Sequence, residues 1–107
     1  MITYTTNQYG LRDKDMDYML GVFRDMPSVE KVLLFGSRAK GNFEKGADID
    51  LAIVGAHITH REIARIHDLL ENESPTLLWF DVLHYNTLKS ESLKQQIDLY
   101  GQVIYVK

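Results

Sequence analysis

The sequence predicts an α+β fold of the α/β sandwich type, in which a mixed sheet of about four to five strands is flanked by helices. Segments with helical spacing of apolar residues alternate with short apolar runs typical of buried strands. The chain has 107 residues, of which 45% are hydrophobic, enough for one core of modest size. We therefore expect a single domain over residues 13–107, preceded by an irregular and loosely held lead-in over residues 1–12.

The helices are predicted from apolar residues spaced at i, i+3, i+4 and i+7. In the first helix, Met16, Met19, Leu20 and Phe23 form the apolar face. A later helix is introduced by Thr59 with a glutamate three residues on, which matches a capping box. The three predicted helices and one short helical turn span residues 13–26, 60–72, 88–99 and 37–41.

The strands are predicted from short apolar runs that follow turn residues. Pro27 and Pro75 each fall where a helical pattern stops and a strand pattern begins. The third strand is apolar except for Thr76 and Asp81, so we expect its tryptophan, Trp79, to lie in the core. The four predicted strands span residues 29–35, 48–54, 76–83 and 102–106.

Composition excludes several classes of function. The net charge of -3 gives no basic field, so direct binding of long nucleic acids is not expected. The chain has no cysteine, which removes disulfides, thiolate metal sites and cysteine nucleophiles. No apolar run approaches the ~20 residues that span a membrane, and the N-terminus does not resemble a signal peptide. We expect a cytoplasmic protein without membrane contact.

Two aspartates lie at positions i and i+2 of the second predicted strand. Because side chains alternate along a strand, Asp48 and Asp50 point to the same face. Two like charges this close repel each other, and a divalent metal that holds a nucleoside triphosphate is the usual solution. The alternative is a polar, solvent-facing side of an edge strand.

A small turn, Gly36-Ser37, follows the first predicted strand. Glycine lets the backbone approach a phosphate, and Ser37 offers a hydroxyl and an N–H group at a helix start. Arg38 and Lys40 add positive charge nearby. Taken alone, the same residues also fit an ordinary strand-to-helix turn capped by serine.

Asp81 interrupts an otherwise apolar strand. Burying a lone carboxylate is costly, so it should lie near a cation or near water in a cleft. If its strand lies beside the Asp48–Asp50 strand, three carboxylates converge. Two could then bind metal while the third takes a proton from an attacking hydroxyl. The alternative is a strand-end carboxylate that faces solvent.

Together these features resemble the nucleotidyltransferase fold of the polymerase-beta superfamily. The resemblance rests on Phe35-Gly36-Ser37-Arg38-Ala39-Lys40-Gly41, on Asp48-Ile49-Asp50-Leu51 and on Asp81 between apolar residues. It is closer still to the minimal (MNT-type) nucleotidyltransferases, which are often paired with a HEPN-domain partner. It covers most of the chain, from about Tyr9 to Tyr105.

The resemblance implies a role for each motif residue. Gly36, Ser37 and the neighbouring cations Arg38 and Lys40 would bind the triphosphate of ATP. The three carboxylates would bind two Mg²⁺ ions, and the third would also activate the acceptor hydroxyl; they are Asp48, Asp50 and Asp81. One departure is that Lys40 stands where the family often has a second arginine, and lysine lacks the planar fork of that residue.

The resemblance also implies a function. We expect transfer of a nucleoside monophosphate, AMP from ATP, to a hydroxyl of a HEPN-type helical partner, as the antitoxin of a toxin–antitoxin pair. One alternative is a non-catalytic nucleotide-binding module that neutralises its partner by binding. A further alternative is a small-molecule nucleotidyltransferase of the aminoglycoside type, which the lack of a substrate-holding domain disfavours.

Overall fold

The computed structural model describes residues 6–107, in which helices and strands alternate along the chain. The helices are α1 (Asp13–Arg24), α2 (Gly36–Lys40), α3 (His60–Asn72) and α4 (Glu91–Tyr100). The strands are β1 (Lys31–Phe35), β2 (Ile49–Val54), β3 (Phe80–His84) and β4 (Gln102–Val106). A 3₁₀ turn, Tyr85–Thr87, precedes α4. The predicted α+β class with a mixed sheet flanked by helices is confirmed.

The four strands form one sheet in the order β3-β2-β1-β4. Strand β1 is antiparallel to both of its neighbours, β2 and β4, whereas β2 and β3 run parallel. A parallel pair needs a crossover connection, and α3 supplies it. This topology places β2 and β3, the strands associated with the predicted carboxylates, side by side.

The two faces of the sheet pack against different helices. On one face, Ile49, Leu51 and Ile53 join the larger apolar cluster, to which α1 and α3 contribute. On the other face, Phe35 and Ala52 pack with Ile97 of α4. Asp48, Asp50 and Ala52 are spaced two residues apart, so their side chains point to the same face of the sheet. This is the face that α4 covers in part.

The inner faces of α1 and α3 follow the predicted spacing. Met19 and Phe23 of α1 and Ile66 and Leu70 of α3 are fully buried. Helix α3 begins with the predicted capping box, in which the Thr59 side chain accepts a hydrogen bond from an N–H group of the first turn. None of the helices within residues 6–107 is long and apolar enough to cross a bilayer.

The described part of the predicted lead-in, residues 6–12, is anchored rather than loose. Leu11 is 1% exposed and belongs to the larger apolar cluster. The Asn7 side chain accepts hydrogen bonds from the N–H groups of Tyr9 (2.9 Å) and Leu11 (3.0 Å). Residues 1–5 of the predicted lead-in lie outside the described residues.

The start of the third strand was predicted too early, because β3 begins at Phe80 and not at residue 76. The Thr76 hydroxyl accepts a hydrogen bond from the Leu78 N–H group at 3.1 Å. Such local bonds offer the backbone an alternative to strand pairing. Leu77 is consequently 99% exposed, and Trp79 is 68% exposed. The prediction that Trp79 lies in the core is therefore wrong.

The last helix begins at Glu91 and not at residue 88. Ser90 caps it, since the serine hydroxyl accepts from the Leu93 N–H group at 3.3 Å. Leu88 follows the 3₁₀ turn and packs against the smaller apolar cluster from outside the helix. The predicted strand over residues 102–106 is confirmed as β4.

The exposure of Trp79 can be tested by fluorescence, because it is the only tryptophan in the chain. We expect its emission maximum at the wavelength typical of hydrated indole, with acrylamide quenching close to that of a free tryptophan derivative. An emission shifted to short wavelength and shielded from acrylamide would contradict this placement.

Candidate functional site

The candidate site lies at one end of the β2–β3 pair. Asp50 of β2 and Asp81 of β3 are register partners. Neighbouring strands lie about 4.8 Å apart, so their side chains stand next to each other on one face. Asp48 comes one residue before β2 and lies on the same face by alternation. Asp48 and Asp81 are exposed, whereas Asp50 is partly buried. The structure thus brings together the three aspartates identified in the sequence.

The glycine of the predicted phosphate turn lies directly against this site. Phe35, the last residue of β1, is the register partner of Asp50, and Gly36 follows it. Gly36 has a φ of 75°, in the left-handed region that favours glycine. A Cβ atom at Gly36 would overlap Oδ2 of Asp50. Glycine is therefore needed both for the turn and for the close approach to the carboxylate.

Asp50 is the electrostatic centre of the site. Partial burial first, and then repulsion from Asp81 and Asp48, together raise the pKa of its carboxyl from 3.8 to about 6. The positive charge of Arg38 opposes this shift without cancelling it. A raised pKa means that the folded protein disfavours negative charge here, so an added cation would be stabilising.

The chemistry of the site fits a hard divalent cation. Three carboxylates supply only oxygen donors, which Mg²⁺ prefers. Within residues 6–107, however, no group of three or more acidic or histidine side chains is close enough together to form a ready metal-binding cluster. Asp50 and Asp81 are nevertheless register partners, and repulsion from Asp81 and Asp48 contributes to the raised pKa of Asp50, so the three carboxylates lie near one another. Because mutually repelling carboxylates converge only around a counter-charge, a bound cation would draw these three together.

Arg38 points into the protein and not towards solvent. Its side chain is 3% exposed, and its guanidinium donates to the carbonyls of Ala47 (2.8 and 3.0 Å) and Tyr9 (2.8 Å). The same group lies over the Phe43 ring, 4.8 Å from the centroid. Burial lowers the pKa of Arg38, and the charges of Asp48 and Asp50 partly restore it. Arg38 therefore fixes the residue before Asp48 and supplies positive charge to the site.

Replacement of this arginine should destabilise the fold. In Arg38→Lys, the ammonium keeps the charge but cannot reach several carbonyls through a planar fork. We expect a loss of about 2–3 kcal/mol in the free energy of unfolding, since buried acceptors lose their donors. Urea denaturation measures this, with Lys40→Arg, at an exposed position, as the matched control. Equal stability of the two variants would contradict the role given to Arg38.

The two remaining predicted nucleotide ligands lie on α2. Ser37 is partly buried beside Gly36, and its carbonyl accepts the N–H groups of Gly41 (3.0 Å) and Asn42 (3.2 Å), which close the helical turn. Lys40 lies at the far end of α2, with its ammonium 5.0 Å from the centroid of the Tyr100 ring. Ser37 is thus next to the carboxylates, and Lys40 is turned towards the end of α4.

Sequence reasoning missed the exposed apolar residues beside the carboxylates. The Ile49 N–H group donates to the Trp79 carbonyl at 2.9 Å, which continues the β2–β3 pairing one step before β3. Alternation then places Trp79 on the face of Asp81. The signal that could have revealed this is Ser74-Pro75-Thr76, whose turn-forming residues argue against a strand that begins at residue 76.

Two cavities lie away from the carboxylates. The larger, about 380 Å³, is mainly apolar and lies between α1 and α3, against the opposite face of the sheet. The smaller, about 190 Å³, borders the segment that leads into β3. Its lining residues are Glu71, Asn72, Thr76, Leu77, Leu78 and Trp79. The larger cavity is lined by Asp17 and Asp25 and the smaller by Glu71, but neither is lined by any of the three aspartates at the end of the β2–β3 pair. The candidate site is therefore the open face that carries those aspartates.

The fold is similar to those of several solved structures. A chain of a toxin–antitoxin structure with AMP-PNP matches with a TM-score of 0.72 and 21% identity, over 86% of this chain and 73% of that one. A chain of a tri-AMPylated Shewanella oneidensis HEPN toxin in complex with MNT antitoxin matches with a TM-score of 0.66 and 20% identity, over 87% and 71%.

A third chain comes from a variant of the toxin–antitoxin MntA-HpeT and matches with a TM-score of 0.71 and 19% identity, over 86% of this chain and 73% of that one. No curated protein matches. A family model described as polymerase beta, nucleotidyltransferase matches residues 19–107, which include β1, the Gly36 turn and all three aspartates. The chain therefore belongs to the polymerase beta nucleotidyltransferase family.

Proposed function

We propose that this protein transfers AMP from ATP to a hydroxyl group of a HEPN-type partner protein, as the antitoxin of a toxin–antitoxin pair. The observation that carries the proposal is the placement of Asp50 and Asp81 in register on parallel strands, with Gly36 against Asp50. A phosphate-binding turn and a set of carboxylates then share one open face, which is what transfer of a nucleotidyl group requires.

The turn at Gly36 and Ser37 binds the triphosphate. The missing side chain at Gly36 lets the Asp50 carboxylate lie directly against the turn. Ser37 contributes its hydroxyl and its N–H group to the phosphates. Arg38 contributes long-range positive charge from its buried position, and Lys40 adds a second positive charge at the exposed end of α2. These groups hold the β- and γ-phosphates, which leave as pyrophosphate.

The carboxylates hold the reacting centre. Asp48, Asp50 and Asp81 would be the ligands of two Mg²⁺ ions, which when bound supply positive charge to the triphosphate and the reacting oxygens. Asp50 is held in place between Phe35 and Asp81 by strand pairing. Its partial burial makes it the carboxylate that gains most from a neighbouring cation.

Transfer proceeds by in-line displacement at the α-phosphate. The acceptor oxygen forms a bond to phosphorus as the bond to the bridging oxygen breaks, and pyrophosphate leaves with the electron pair. Asp81, which is exposed, accepts the proton of the attacking hydroxyl. An exposed base suits an acceptor that arrives on the surface of another macromolecule.

The choice of partner is supported by the structural neighbours and by an exposed apolar surface. Neighbouring chains come from complexes of HEPN toxins with MNT antitoxin and from a toxin–antitoxin structure with AMP-PNP. In this protein, α4 and β4 expose four large apolar side chains at 50–74%. These residues are Leu99, Tyr100, Val103 and Val106. An exposed patch of this kind is typical of a protein interface.

The same patch favours one alternative, a binding module that neutralises its partner without catalysis. The two functions separate in a toxin-rescue assay. The double variant Asp48→Asn/Asp50→Asn removes two of the three carboxylates and leaves the exposed apolar patch intact. Val103→Asp places a charge in the patch and leaves all three carboxylates intact. Rescue by the double variant would support binding alone, whereas failure of the double variant in a stable complex would support catalysis.

The decisive experiment is intact mass spectrometry of the protein purified with its partner from native cells, before and after addition of ATP and Mg²⁺. We expect the partner to gain the mass of one or more AMP groups. Asp48→Asn should abolish the gain, and Asp17→Asn, an exposed carboxylate on α1 at the opposite face, should preserve it. A stable complex without any mass gain would refute the proposal.

A further inference from the structure

Two side chains of α3 hold the backbone of Phe80, the residue before Asp81. The Phe80 N–H group donates to Oε1 of Glu71 at 3.1 Å. The Phe80 carbonyl lies 3.1 Å from Nε2 of His67, and because a carbonyl can only accept, that nitrogen carries the proton of the bond. The same nitrogen lies 3.1 Å from Oε1 of Glu71. The three contacts form a closed set, which we call the Phe80 clamp.

The Phe80 clamp compensates for the position of β3 at one edge of the sheet. Phe80 is the first residue of this strand, which pairs with β2 along its other side. An edge strand presents backbone N–H and carbonyl groups that no neighbouring strand satisfies. Glu71 and His67 are spaced four residues apart and so extend from one face of α3, where they bond to both of these groups of Phe80.

Both ends of the Phe80 clamp are fixed by the core. The α3 residues that precede its two members, Ile66 and Leu70, are 0% exposed and anchor the helix. The Phe80 side chain belongs to the same apolar cluster. Because side chains alternate along a strand, a core-facing Phe80 directs Asp81 to the opposite face, which is the carboxylate face. The direction of Asp81 therefore depends on how firmly the backbone of Phe80 is held.

A comparable arrangement precedes the other exposed aspartate of the site. The Arg38 guanidinium donates to the carbonyl of Ala47, the residue before Asp48. Asp50 differs, because it lies within β2 and is held by strand pairing on both sides. Asp48 precedes its strand, and Asp81 lies in an edge strand. Each of these two less supported aspartates thus follows a residue whose backbone is held by a side chain from another element.

We propose that His67 and Glu71 are positioning residues, which hold Asp81 in place at the carboxylate site through the backbone of Phe80. This rests on the proposed function, in which Asp81 accepts the proton of the attacking hydroxyl. A base must lie within hydrogen-bond reach of that proton, so a small displacement of Asp81 slows transfer. The His67 side chain is 44% exposed, and ion pairs at exposed positions add little to stability. The main effect of the Phe80 clamp is therefore on position.

The kinetics of AMP transfer test the role of the Phe80 clamp. Glu71→Ala should lower kcat by about tenfold or more. The KM for ATP should stay unchanged, because β2 separates the phosphate turn after β1 from β3. Glu71→Gln keeps an oxygen acceptor without the charge and should restore most of kcat. The control is Asp68→Ala, whose carboxylate bonds to Asn72 of the same helix. An unchanged kcat in Glu71→Ala, or no rescue by Glu71→Gln, would overturn the proposal.

Amide hydrogen exchange, followed by NMR without ATP, gives a readout that does not depend on catalysis. We expect slow exchange at Phe80 and Asp81 in the wild-type protein and in Glu71→Gln, and roughly tenfold faster exchange in Glu71→Ala. Equal exchange rates in all three proteins would show that the Phe80 clamp does not hold the start of β3, and the proposal would fail. If the wild-type protein transfers no AMP, the proposed function fails, and hydrogen exchange alone decides whether Glu71 holds Asp81 in place.

Discussion

Asp50→Asn is expected to abolish the proposed AMP transfer and at the same time to stabilise the protein. Loss of a carboxylate with the role proposed for Asp50 should lower kcat by about a thousandfold, corresponding to roughly 4 kcal/mol. Stability should increase because the amide carries no charge that is penalised by partial burial or repelled by Asp81 and Asp48. We expect a gain of about 1 kcal/mol at pH 8, after allowance for solvent screening of this partly exposed group.

The sign of the pH dependence follows from the direction of the pKa shift. In the folded protein the pKa of Asp50 is about 6, against an ordinary value of 3.8, so the folded state binds the proton more tightly. Below about pH 4 the group is protonated in both states and destabilises nothing. As the pH rises from about 4 to above 6, Asp50 must ionise in the folded protein, and the free energy of unfolding of the wild-type protein decreases. Asp50→Asn has no group to ionise at this position and is spared the decrease.

Thermal unfolding in metal-free buffer at several pH values measures the difference. The gap in melting temperature between Asp50→Asn and wild-type protein should open between about pH 4 and pH 7, to roughly 5 °C. Asp17→Asn, which changes an exposed carboxylate on α1, serves as the control and should show no such gap. A constant difference across the pH range would refute the electrostatic account.

Gly36→Ala is expected to impair the proposed AMP transfer through displacement of a neighbouring side chain. The added Cβ overlaps Oδ2 of Asp50, so that carboxylate must rotate away from its place beside Asp81. We expect transfer to fall by at least about a hundredfold, the effect of losing one positioned group in a reacting centre.

Gly41→Ala provides a matched control. Gly41 has a φ of 81°, close to the 75° of Gly36, but a Cβ at Gly41 would meet no atom within 4 Å. In both variants the alanine is held in the left-handed backbone conformation, which lowers the free energy of unfolding by about 1 kcal/mol. Urea denaturation should therefore show similar destabilisation, while an AMP-transfer assay separates them. Equal activities would show that the contact with Asp50 is unimportant.

The sequence predicted those parts of the site that depend on local geometry. The alternation of a strand was sufficient to place Asp48 and Asp50 on one face, and the turn at Gly36 was identified from a glycine after an apolar run. The start of the helix that follows Thr59 was predicted correctly because the capping box is encoded within four residues.

The contacts of Arg38 and the burial of Trp79 depend on residues that are distant along the chain. Arg38 was identified as a phosphate ligand, a role that no observation has tested, and its contacts with carbonyls of Tyr9 and Ala47 could not be read from its neighbours. Trp79 was assigned to the core because its segment is apolar. In the structure, the Thr76 hydroxyl accepts a hydrogen bond from the Leu78 N–H group, the strand begins only at Phe80, and the Trp79 ring is exposed. Burial is decided by the whole fold, and local hydrophobicity does not report it.

The anchored segment before α1 shows that the fold includes residues that lie before the segment matching the family. The family match starts at residue 19, inside α1. The Tyr9 carbonyl that holds Arg38, and the core residue Leu11, both lie upstream of that point. A protein trimmed to the matched segment would retain every candidate ligand and lose the support on which their positions depend. The segment that matches the family is therefore shorter than the segment that packs into the fold.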